Sequence, residues 1–272
     1  MKKVFVFTFV YLLSASFVSI QEVNIKNDIQ YGEAVNDKHI TQPLLMDLYF
    51  IGQLPKQKSP AIIFVHGGGF KTGDKQQDMY IKMCRKFAKV GYVSFSINYR
   101  LSTQEKITLP ILDNAVNDVL TAIKWIQVHC DEYGIDSKKM IVVGDSAGGG
   151  IVVNAAYSDE GKKWIAACID LWGGLPFSQN EPDINKYGQP VNYHPVQTDI
   201  PPTCIFHSRE DDIIPVSTSL NLSDELKSKG IEHEIHILDS ADHYPENMAK
   251  QFIPIMIDFV GRIVCNSYVY QE

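Results

Sequence analysis

The sequence predicts an α/β fold in which helices cover both faces of a mostly parallel sheet. Two apolar runs, Ala61–Val65 and Ile141–Val143, show no polar alternation, which is typical of strands buried on both faces. Apolar residues at helical spacing lie between them, so strands and helices alternate along the chain. Each run ends near a glycine-rich turn, and parallel sheets place ligand sites beyond the carboxyl ends of their strands. A chain of 272 residues suits one domain of this kind.

Residues 1–21 have the pattern of a secretory signal peptide, which leaves residues 22–272 to form the folded domain. Two lysines precede an apolar run, Val4–Leu13, and small residues follow at Ser14–Ser16. A membrane anchor is the alternative, but spanning a bilayer takes about 20 apolar residues and this run is shorter. The sequence therefore predicts export to a periplasm or to the medium, with no membrane insertion after cleavage.

Charge and cysteine content argue against several classes of partner and cofactor. The net charge of −7 argues against binding to nucleic acid or to an anionic membrane surface. Five cysteines leave at least one unpaired in a monomer, and their spacing matches neither a disulfide framework nor a metal site. The sequence also lacks a dinucleotide fingerprint, so we expect neither a metal nor another cofactor.

The first half of the chain divides into strands and helices by its apolar spacing. The polar stretch Glu22–Thr41 shows no clear pattern, and Leu44–Phe50 is predicted as the first strand. A long helix opens at Leu109 with a proline in its first turn, and Asp118 is expected on its solvated side. The other predicted elements of this half are the strands Ala61–Val65 and Tyr92–Ile97 and the helix Asp78–Val90.

The stretch Ile141–Gly150 carries Gly-x-Ser-x-Gly between a predicted strand and a predicted helix, a pattern known as a nucleophile elbow. The turn is so sharp that its central residue, Ser146, is held in a strained backbone conformation. Larger neighbours would clash there, which accounts for Gly144 and Gly148. The turn presents the Ser146 hydroxyl, and the positive end of the following helix faces it. The pattern predicts Ser146 as a nucleophile rather than a chance serine in a tight turn.

A second glycine motif, His-Gly-Gly-Gly-Phe at residues 66–70, follows an earlier buried strand. Glycines cost backbone entropy, so this run indicates N–H groups that must approach a substrate oxygen. We expect Gly68, Gly69 and Ala147 to donate to the oxyanion of a tetrahedral intermediate, with His66 orienting the loop. A flexible loop and a phosphate-binding loop are the alternatives, although no Gly-Lys-Ser/Thr follows.

After the elbow and its helix, the chain contains three further predicted strands and two further predicted helices: Ile165–Leu171, Pro201–Phe206 and Ile231–Leu238, then Ser217–Lys229 and Glu246–Val264. The stretch Pro176–Pro202 has no clear periodicity. It is either a surface loop with structural aromatics or a short flap that supplies Trp172, Phe177, Tyr187 and Tyr193 to the site. Trp172 and Phe70 are the candidate substrate contacts.

Four motifs in this order make the chain resemble a known enzyme family: His-Gly-Gly-Gly-Phe at 66–70, Asn-Tyr-Arg-Leu at 98–101, Tyr-Gly-Ile-Asp at 133–136 and Gly-Asp-Ser-Ala-Gly-Gly at 144–149. The chain is similar to esterases of the α/β-hydrolase fold, nearest to hormone-sensitive-lipase-like carboxylesterases and bacterial feruloyl and acetyl-xylan esterases. The resemblance covers about Leu44–Val264 and implies an eight-stranded sheet, Ser–Asp–His chemistry and no cofactor. Lipase-like members carry a long N-terminal cap. The short segment before the first predicted strand implies a minimal cap here, and an open site for a bulky or polymeric ester.

The resemblance also implies where the acid and the histidine of a catalytic triad lie, in that order along the chain. The family's acid lies in a turn before two apolar residues and a proline. Asp211 matches that position, with Asp212 as the close alternative and Glu210 as a third. The family's histidine lies in the loop after the last strand, where His243 fits. The other candidate histidines lie on that strand or have no assigned partner: His233, His236, His194 and His207.

Together these residues predict a secreted serine carboxylic ester hydrolase that works through an acyl-enzyme. Its substrate would be a small-molecule ester or one linked to a polysaccharide, for example an acetyl or feruloyl group on a plant polysaccharide. An amide hydrolase, such as a formamidase or peptidase, would use the same triad and stays open as an alternative. A non-catalytic binding module on the same fold is the other alternative, although the sequence lacks no member of the triad.

Overall fold

The computed structural model describes residues 22–53, 58–174 and 196–264. These residues contain eight strands: β1 (Val23–Val35), β2 (Thr41–Ile51), β3 (Ser59–Val65), β4 (Val93–Ile97), β5 (Ile135–Asp145), β6 (Ile165–Leu171), β7 (Thr203–Ser208) and β8 (His233–Leu238). They also contain six α-helices: α1 (Asp78–Lys89), α2 (Leu109–Val128), α3 (Cys130–Tyr133), α4 (Ala147–Tyr157), α5 (Ser217–Ser228) and α6 (Ala249–Val264). Single turns of 3₁₀ helix lie at Gly161–Lys163 and Glu246–Met248.

All eight strands form one sheet in the order β1-β2-β4-β3-β5-β6-β7-β8. The pairs from β4 through β8 are parallel, whereas β1 pairs with β2, and β2 with β4, in the antiparallel sense. This arrangement confirms the predicted α/β-hydrolase class, with a mostly parallel eight-stranded sheet. The carboxyl ends of the six parallel strands meet at one edge, where the two glycine motifs also lie.

Two apolar cores cover the two faces of the sheet. Residues of α2, α4 and α5 pack on one face, and residues of α1 and α6 pack on the other. The central strand β3 is buried on both sides, because Ile63 and Val65 join the first core while Ile62 and Phe64 join the second. That double burial explains why the sequence of this strand is continuously apolar. None of the described helices is long and apolar enough to cross a membrane.

The segment Glu22–Thr41, for which the sequence analysis predicted no element, is largely a strand, so Leu44–Phe50 is not the first strand of the sheet. β1 runs for 13 residues along the edge of the sheet, and Tyr31 is its only buried residue. Its register against β2 shifts twice, once between Lys26 and Ile29 and again between Gln30 and Gly32. Neither face of an exposed edge strand with irregular pairing is consistently buried. Its apolar and polar residues therefore do not alternate, and the sequence shows no strand periodicity there.

The apolar spacing of α2 predicted a solvated Asp118, and this prediction is also wrong. The Asp118 side chain is 2% exposed and forms an ion pair with Arg100, with 2.7 Å between guanidinium Nη2 and carboxylate Oδ1. The Arg100 backbone N–H donates to the second carboxylate oxygen at 2.8 Å. This buried pair ties the segment that follows β4 to α2, so the Asn-Tyr-Arg-Leu motif has a structural anchor.

Several predictions fall on residues outside the described ranges, namely the signal peptide at 1–21, the flap aromatics Phe177, Tyr187 and Tyr193, the histidine His194 and the cysteine Cys265. The other four cysteines are buried free thiols: Cys84, Cys130, Cys168 and Cys204. Burial raises the pKa of each of these four thiols. They behave as small apolar side chains within the two cores.

Candidate active site

The turn between β5 and α4 places Ser146 in a strained backbone conformation. Its φ is 50° and its ψ is −120°, and α4 begins at the next residue. The turn has no room for side chains at the flanking glycines. A Cβ on Gly144 would lie 2.2 Å from the Gly148 carbonyl oxygen, and a Cβ on Gly148 would lie 2.1 Å from the Val65 carbonyl oxygen. Close backbone approach therefore requires both glycines, and the turn presents the serine at the carboxyl edge of the sheet.

Three side chains that are distant in the sequence form one hydrogen-bonded line at this edge. The Ser146 hydroxyl lies 2.9 Å from His243 Nε2, and His243 Nδ1 lies 2.7 Å from Asp211 Oδ2. A carboxylate can only accept, so Nδ1 donates to Asp211 and Nε2 accepts the hydroxyl proton of Ser146. The serine and the histidine are 6% and 4% exposed, so water competes little for these bonds. A histidine held in this way can act as a general base toward the serine.

Asp211 contacts His243, whereas Asp212 and Glu210 lie exposed beside it. The Oδ1 atom of Asp211 accepts the backbone N–H groups of Ile213 at 2.9 Å and Ile214 at 2.7 Å. Burial alone would raise the pKa of the Asp211 carboxyl, but hydrogen bonds from two histidines and a backbone amide hold it well below its usual range. The carboxylate therefore stays ionised and can stabilise a protonated His243.

The second histidine at this carboxylate is His207, which the sequence analysis left without a partner. Its ring is completely buried, with Nε2 at 2.8 Å from the Ile214 carbonyl oxygen and at 3.3 Å from Asp211 Oδ2. Nδ1 accepts the hydroxyl proton of Ser219 across 2.7 Å, since Nε2 must donate to the carbonyl. His207 thus fixes the turn that carries Asp211. The signal in the sequence was a histidine at the end of a buried strand, four residues before the acid.

The glycine loop after β3 is held by hydrogen bonds from several sides. The Gly67 N–H donates to Asp145 Oδ1 at 2.8 Å, which joins the loop to the residue before the serine. His66 Nδ1 lies 2.7 Å from the Gly67 carbonyl oxygen, and its ring stacks on Tyr99 with centroids 4.5 Å apart. Gly68 has a φ of +105°, which favours glycine, and its carbonyl is fixed by the next turn of the loop. The amides of this loop are therefore preorganised.

A cleft of about 430 Å³ opens beside the serine. Gly68, Gly69 and Ala147 line it together with Ser146 and His243. Ala147 is the first residue of α4, so its N–H has no partner within the helix and is available to a ligand. Among the remaining lining residues, the apolar and polar side chains are mixed: Phe70, Lys71, Thr72, Ile107, Ile213, Ile214 and Tyr244.

The two candidate substrate contacts differ in position. Phe70 lines the cleft and adopts a positive φ of 64°, although its side chain is fully buried against the first core. Trp172 does not line the cleft, which corrects the expectation for that residue. Its indole is completely buried and packs edge-on against Phe252 of α6, with ring centroids 5.7 Å apart. Its position one residue after β6 directs the ring into the second core rather than toward a substrate.

The histidines on β8 lie away from this cleft. His233 and His236 are half-buried, and the His236 ring stacks on Phe206. Within the described ranges, His236, Glu234 and Cys204 have ligand atoms within 4.8 Å of one another, as a metal site would require. Glu234 is already paired with a guanidinium, that of Arg262, so we assign no metal there.

Comparisons with known proteins found similar sequences and similar folds. A family model described as BD-FAE matches residues 46–173. The chain is 25% identical over 233 residues to the "Probable carboxylic ester hydrolase LipM" of Mycobacterium tuberculosis, a match that covers 74% of this chain and 51% of LipM. The chain spans between 51% and 62% of the length of the first three curated relatives that it matches.

Two solved structures share the fold over nearly their whole length. The apo form of Thermogutta terrifontis esterase 2 matches with a TM-score of 0.72 and 23% identity, covering 93% of this chain and 97% of that one. A truncated carbohydrate esterase from gut microbiota also matches with a TM-score of 0.72, at 19% identity, covering 89% and 96%. The chain therefore has the α/β-hydrolase fold, and part of its sequence is similar to ester hydrolases. In this α/β hydrolase, Ser146 lies on the elbow between β5 and α4 and lines one cleft with the glycines of the β3 loop.

Proposed function

We propose that this α/β hydrolase is a serine carboxylic ester hydrolase in which Ser146, His243 and Asp211 form the catalytic triad. The observation that carries the proposal is the pair of hydrogen bonds that joins the three side chains beside the glycine amides. LipM and Thermogutta terrifontis esterase 2, which are named as ester hydrolases, support it as relatives.

The proposed reaction begins when His243 Nε2 removes the hydroxyl proton of Ser146 and the serine oxygen attacks the ester carbonyl carbon. The amides of Gly68, Gly69 and Ala147 hold the oxyanion of the tetrahedral intermediate. The intermediate collapses when the carbon–alkoxide bond breaks and His243 gives its proton to the leaving alcohol. Water, activated through His243, then attacks the acyl-enzyme, and the acid leaves with Ser146 regenerated.

Asp211 keeps the histidine in the tautomer that this sequence of steps needs. Its ionised carboxylate accepts Nδ1–H and stabilises the imidazolium that forms during each transfer. His207 and the two backbone amides hold the carboxylate in turn, so the acid needs no reorganisation during the reaction.

Replacing the nucleophile tests the proposed function directly. Ser146→Ala should lower kcat for p-nitrophenyl acetate by about 10⁴-fold or more, because no other group attacks the carbonyl. Ser228→Ala is a matched control, since that hydroxyl lies on α5 and donates to the Glu225 carbonyl oxygen of the same helix. Hydrolysis that survives Ser146→Ala at the wild-type rate would remove the serine from the mechanism.

For the substrate, we propose an acyl group on a carbohydrate, with export as the route to it. The carbohydrate esterase among the structural neighbours supports this choice. A panel of acetylated xylan, a feruloyl ester, p-nitrophenyl acetate and an acetanilide separates carbohydrate ester, simple ester and amide hydrolysis. A higher kcat/KM for the anilide than for every ester would favour the amide hydrolase.

N-terminal sequencing of protein recovered from the medium tests whether residues 1–21 are removed.

A further inference from the structure

Tyr244 follows the triad histidine directly and lies at the proposed reaction centre. Its ring meets the His243 ring edge-on, with centroids 4.6 Å apart and planes at 75°. It lines the cleft together with Ser146 and Gly68, and the side chain is 44% exposed. The tyrosine is therefore both next to the nucleophile and open to a bound substrate. Neither the glycine motifs nor the triad accounts for it.

Tyr244 shares the cleft with the nucleophile and with the residues of all three proposed oxyanion donors, Gly68, Gly69 and Ala147. Burial raises the pKa of Tyr244, while hydrogen bonding to the Ser146 side chain and to the Gly68 backbone amide opposes that rise. The phenol keeps its proton at neutral pH, so it can donate a hydrogen bond. It does so in the cleft where any tetrahedral intermediate on Ser146 would form.

The place of Tyr244 in the cleft determines what the phenol can face during the reaction. The carbon of the intermediate is bonded to Ser146 Oγ. Its oxyanion accepts a hydrogen bond from the Gly68 amide. Because Tyr244 lines the same cleft and its ring packs on His243, its hydroxyl can reach the oxyanion that forms between Ser146 and Gly68. The amides cannot move, whereas a half-exposed phenol can adjust by rotation about its side-chain bonds to face the new charge.

We propose that Tyr244 is a further catalytic residue of this chain, whose phenol O–H donates to the oxyanion alongside the backbone amides. The inference rests on the proposed function, because it needs Ser146 to attack a carbonyl. The phenol keeps its proton throughout, so the proton balance among Ser146, His243 and the leaving alcohol is unchanged. Its contribution appears only once negative charge develops on the oxygen, and it should therefore act on kcat rather than on substrate binding.

The test removes the hydroxyl and keeps the ring. Tyr244→Phe should lower kcat for p-nitrophenyl acetate by about 10- to 100-fold, while KM stays within about twofold of the wild type. A trifluoromethyl ketone, which forms a hemiketal oxyanion with the serine, should lose affinity by the same factor. Tyr244→Leu should lose as much in kcat, and thermal melting shows whether each variant is folded. A role confined to packing against His243 would leave the phenylalanine variant fully active.

Tyr133→Phe is the matched control, because it also removes a phenol hydroxyl. Tyr133 precedes β5 at the amino end of that strand, whereas Ser146 follows the carboxyl end. It should leave kcat, KM and ketone affinity unchanged.

Two results for Tyr244→Phe would overturn the inference: an unchanged kcat, or a lower KM with an unchanged kcat, which would mean that the hydroxyl merely blocks the oxyanion site. Ser146→Ala run in parallel separates this failure from failure of the proposed function. If it abolishes hydrolysis while Tyr244→Phe has no effect, the esterase stands without the tyrosine. If the wild type neither hydrolyses the ester nor binds the ketone, both proposals fail.

Discussion

The serine half and the acid–histidine half of the proposed site are held in place by different forces. Ser146 lies at the centre of the sheet, where backbone atoms approach so closely that a Cβ on Gly148 would lie 2.1 Å from a carbonyl oxygen. Asp211 lies toward the β7–β8 edge, where two backbone amides and two histidines hydrogen-bond its carboxylate. Steric exclusion positions the nucleophile, and polar contacts position the acid.

This difference predicts how each half responds to substitution. The closely packed backbone atoms at the elbow cannot move apart to admit a side chain. An added methyl group there should therefore lower the stability of the fold. A carboxylate held by hydrogen bonds can be replaced by an amide of the same shape, so the fold should survive and the chemistry should fail. The following three experiments test the contrast, from the largest expected effect to the smallest.

Gly148→Ala should have the largest effect, because its Cβ would meet the backbone of Val65 and His66 within 3 Å. We expect a loss of about 3 kcal/mol or more in the free energy of unfolding, measured by urea denaturation. Gly261→Ala is the matched control in α6, where an added Cβ meets nothing within 4 Å. It should stabilise the protein by about 0.5–1 kcal/mol, since alanine is the better helix former. Equal stabilities for the two variants would contradict the steric account of the elbow.

Asp211→Asn should leave the fold intact and lower kcat by about 10³- to 10⁴-fold. The amide N–H₂ would face His243 Nδ1 and favour the tautomer whose Nε2 carries the proton, so the histidine could no longer accept the proton of Ser146. Ester hydrolysis and thermal melting of the same sample measure both effects. Asp212→Asn, one residue away and exposed, should change kcat by less than about threefold. A larger loss for Asp212→Asn than for Asp211→Asn would reverse the assignment of the acid.

Asp170 on β6 lies between the two halves and should give the smallest effect, visible as a dependence of stability on pH. Burial raises its pKa to about 7, against an ordinary value of about 4 in the unfolded chain. The folded protein binds the proton between these values and the unfolded chain does not, so the free energy of unfolding falls as pH rises from about 4 to about 7.

Asp170→Asn should remove this slope and keep the bond from the Gly173 N–H to Oδ1. Urea unfolding at pH 5 and pH 8 should show the variant gaining stability relative to the wild type at the higher pH. Asp113→Asn replaces an exposed carboxyl on α2 and should leave the pH dependence as it is in the wild type. A stability difference that is the same at both values of pH would show that Asp170 does not titrate in this range.

The sequence carried enough information for the sheet and the nucleophile because both depend on local patterns. Buried central strands read as apolar runs, and the elbow needs its glycines within five residues of one another. The acid could be narrowed only to Asp211, Asp212 or Glu210, because the choice depends on which side chain turns toward His243 across 32 residues. No local rule specifies that orientation, and the structure alone brings Asp211 to the histidine.

The errors have a common physical cause, which is that burial depends on contacts between distant segments. β1 gave no periodic signal because an edge strand is mostly exposed. Asp118 was predicted to be solvated because its partner, Arg100, lies 18 residues away and helix periodicity does not include it. Trp172 was predicted to contact the substrate because the sequence does not show that its ring packs against Phe252 of α6. His207 was left unassigned for the same reason.

The burial of the four described thiols has a consequence for the conditions under which the protein can work. Only a thiolate attacks a disulfide, and burial raises the pKa of Cys84, Cys130, Cys168 and Cys204. Exchange with small thiols therefore requires the fold to open first. In the folded part that the structure describes, these four sulfurs should therefore stay free thiols in an oxidising compartment as well as in a reducing one.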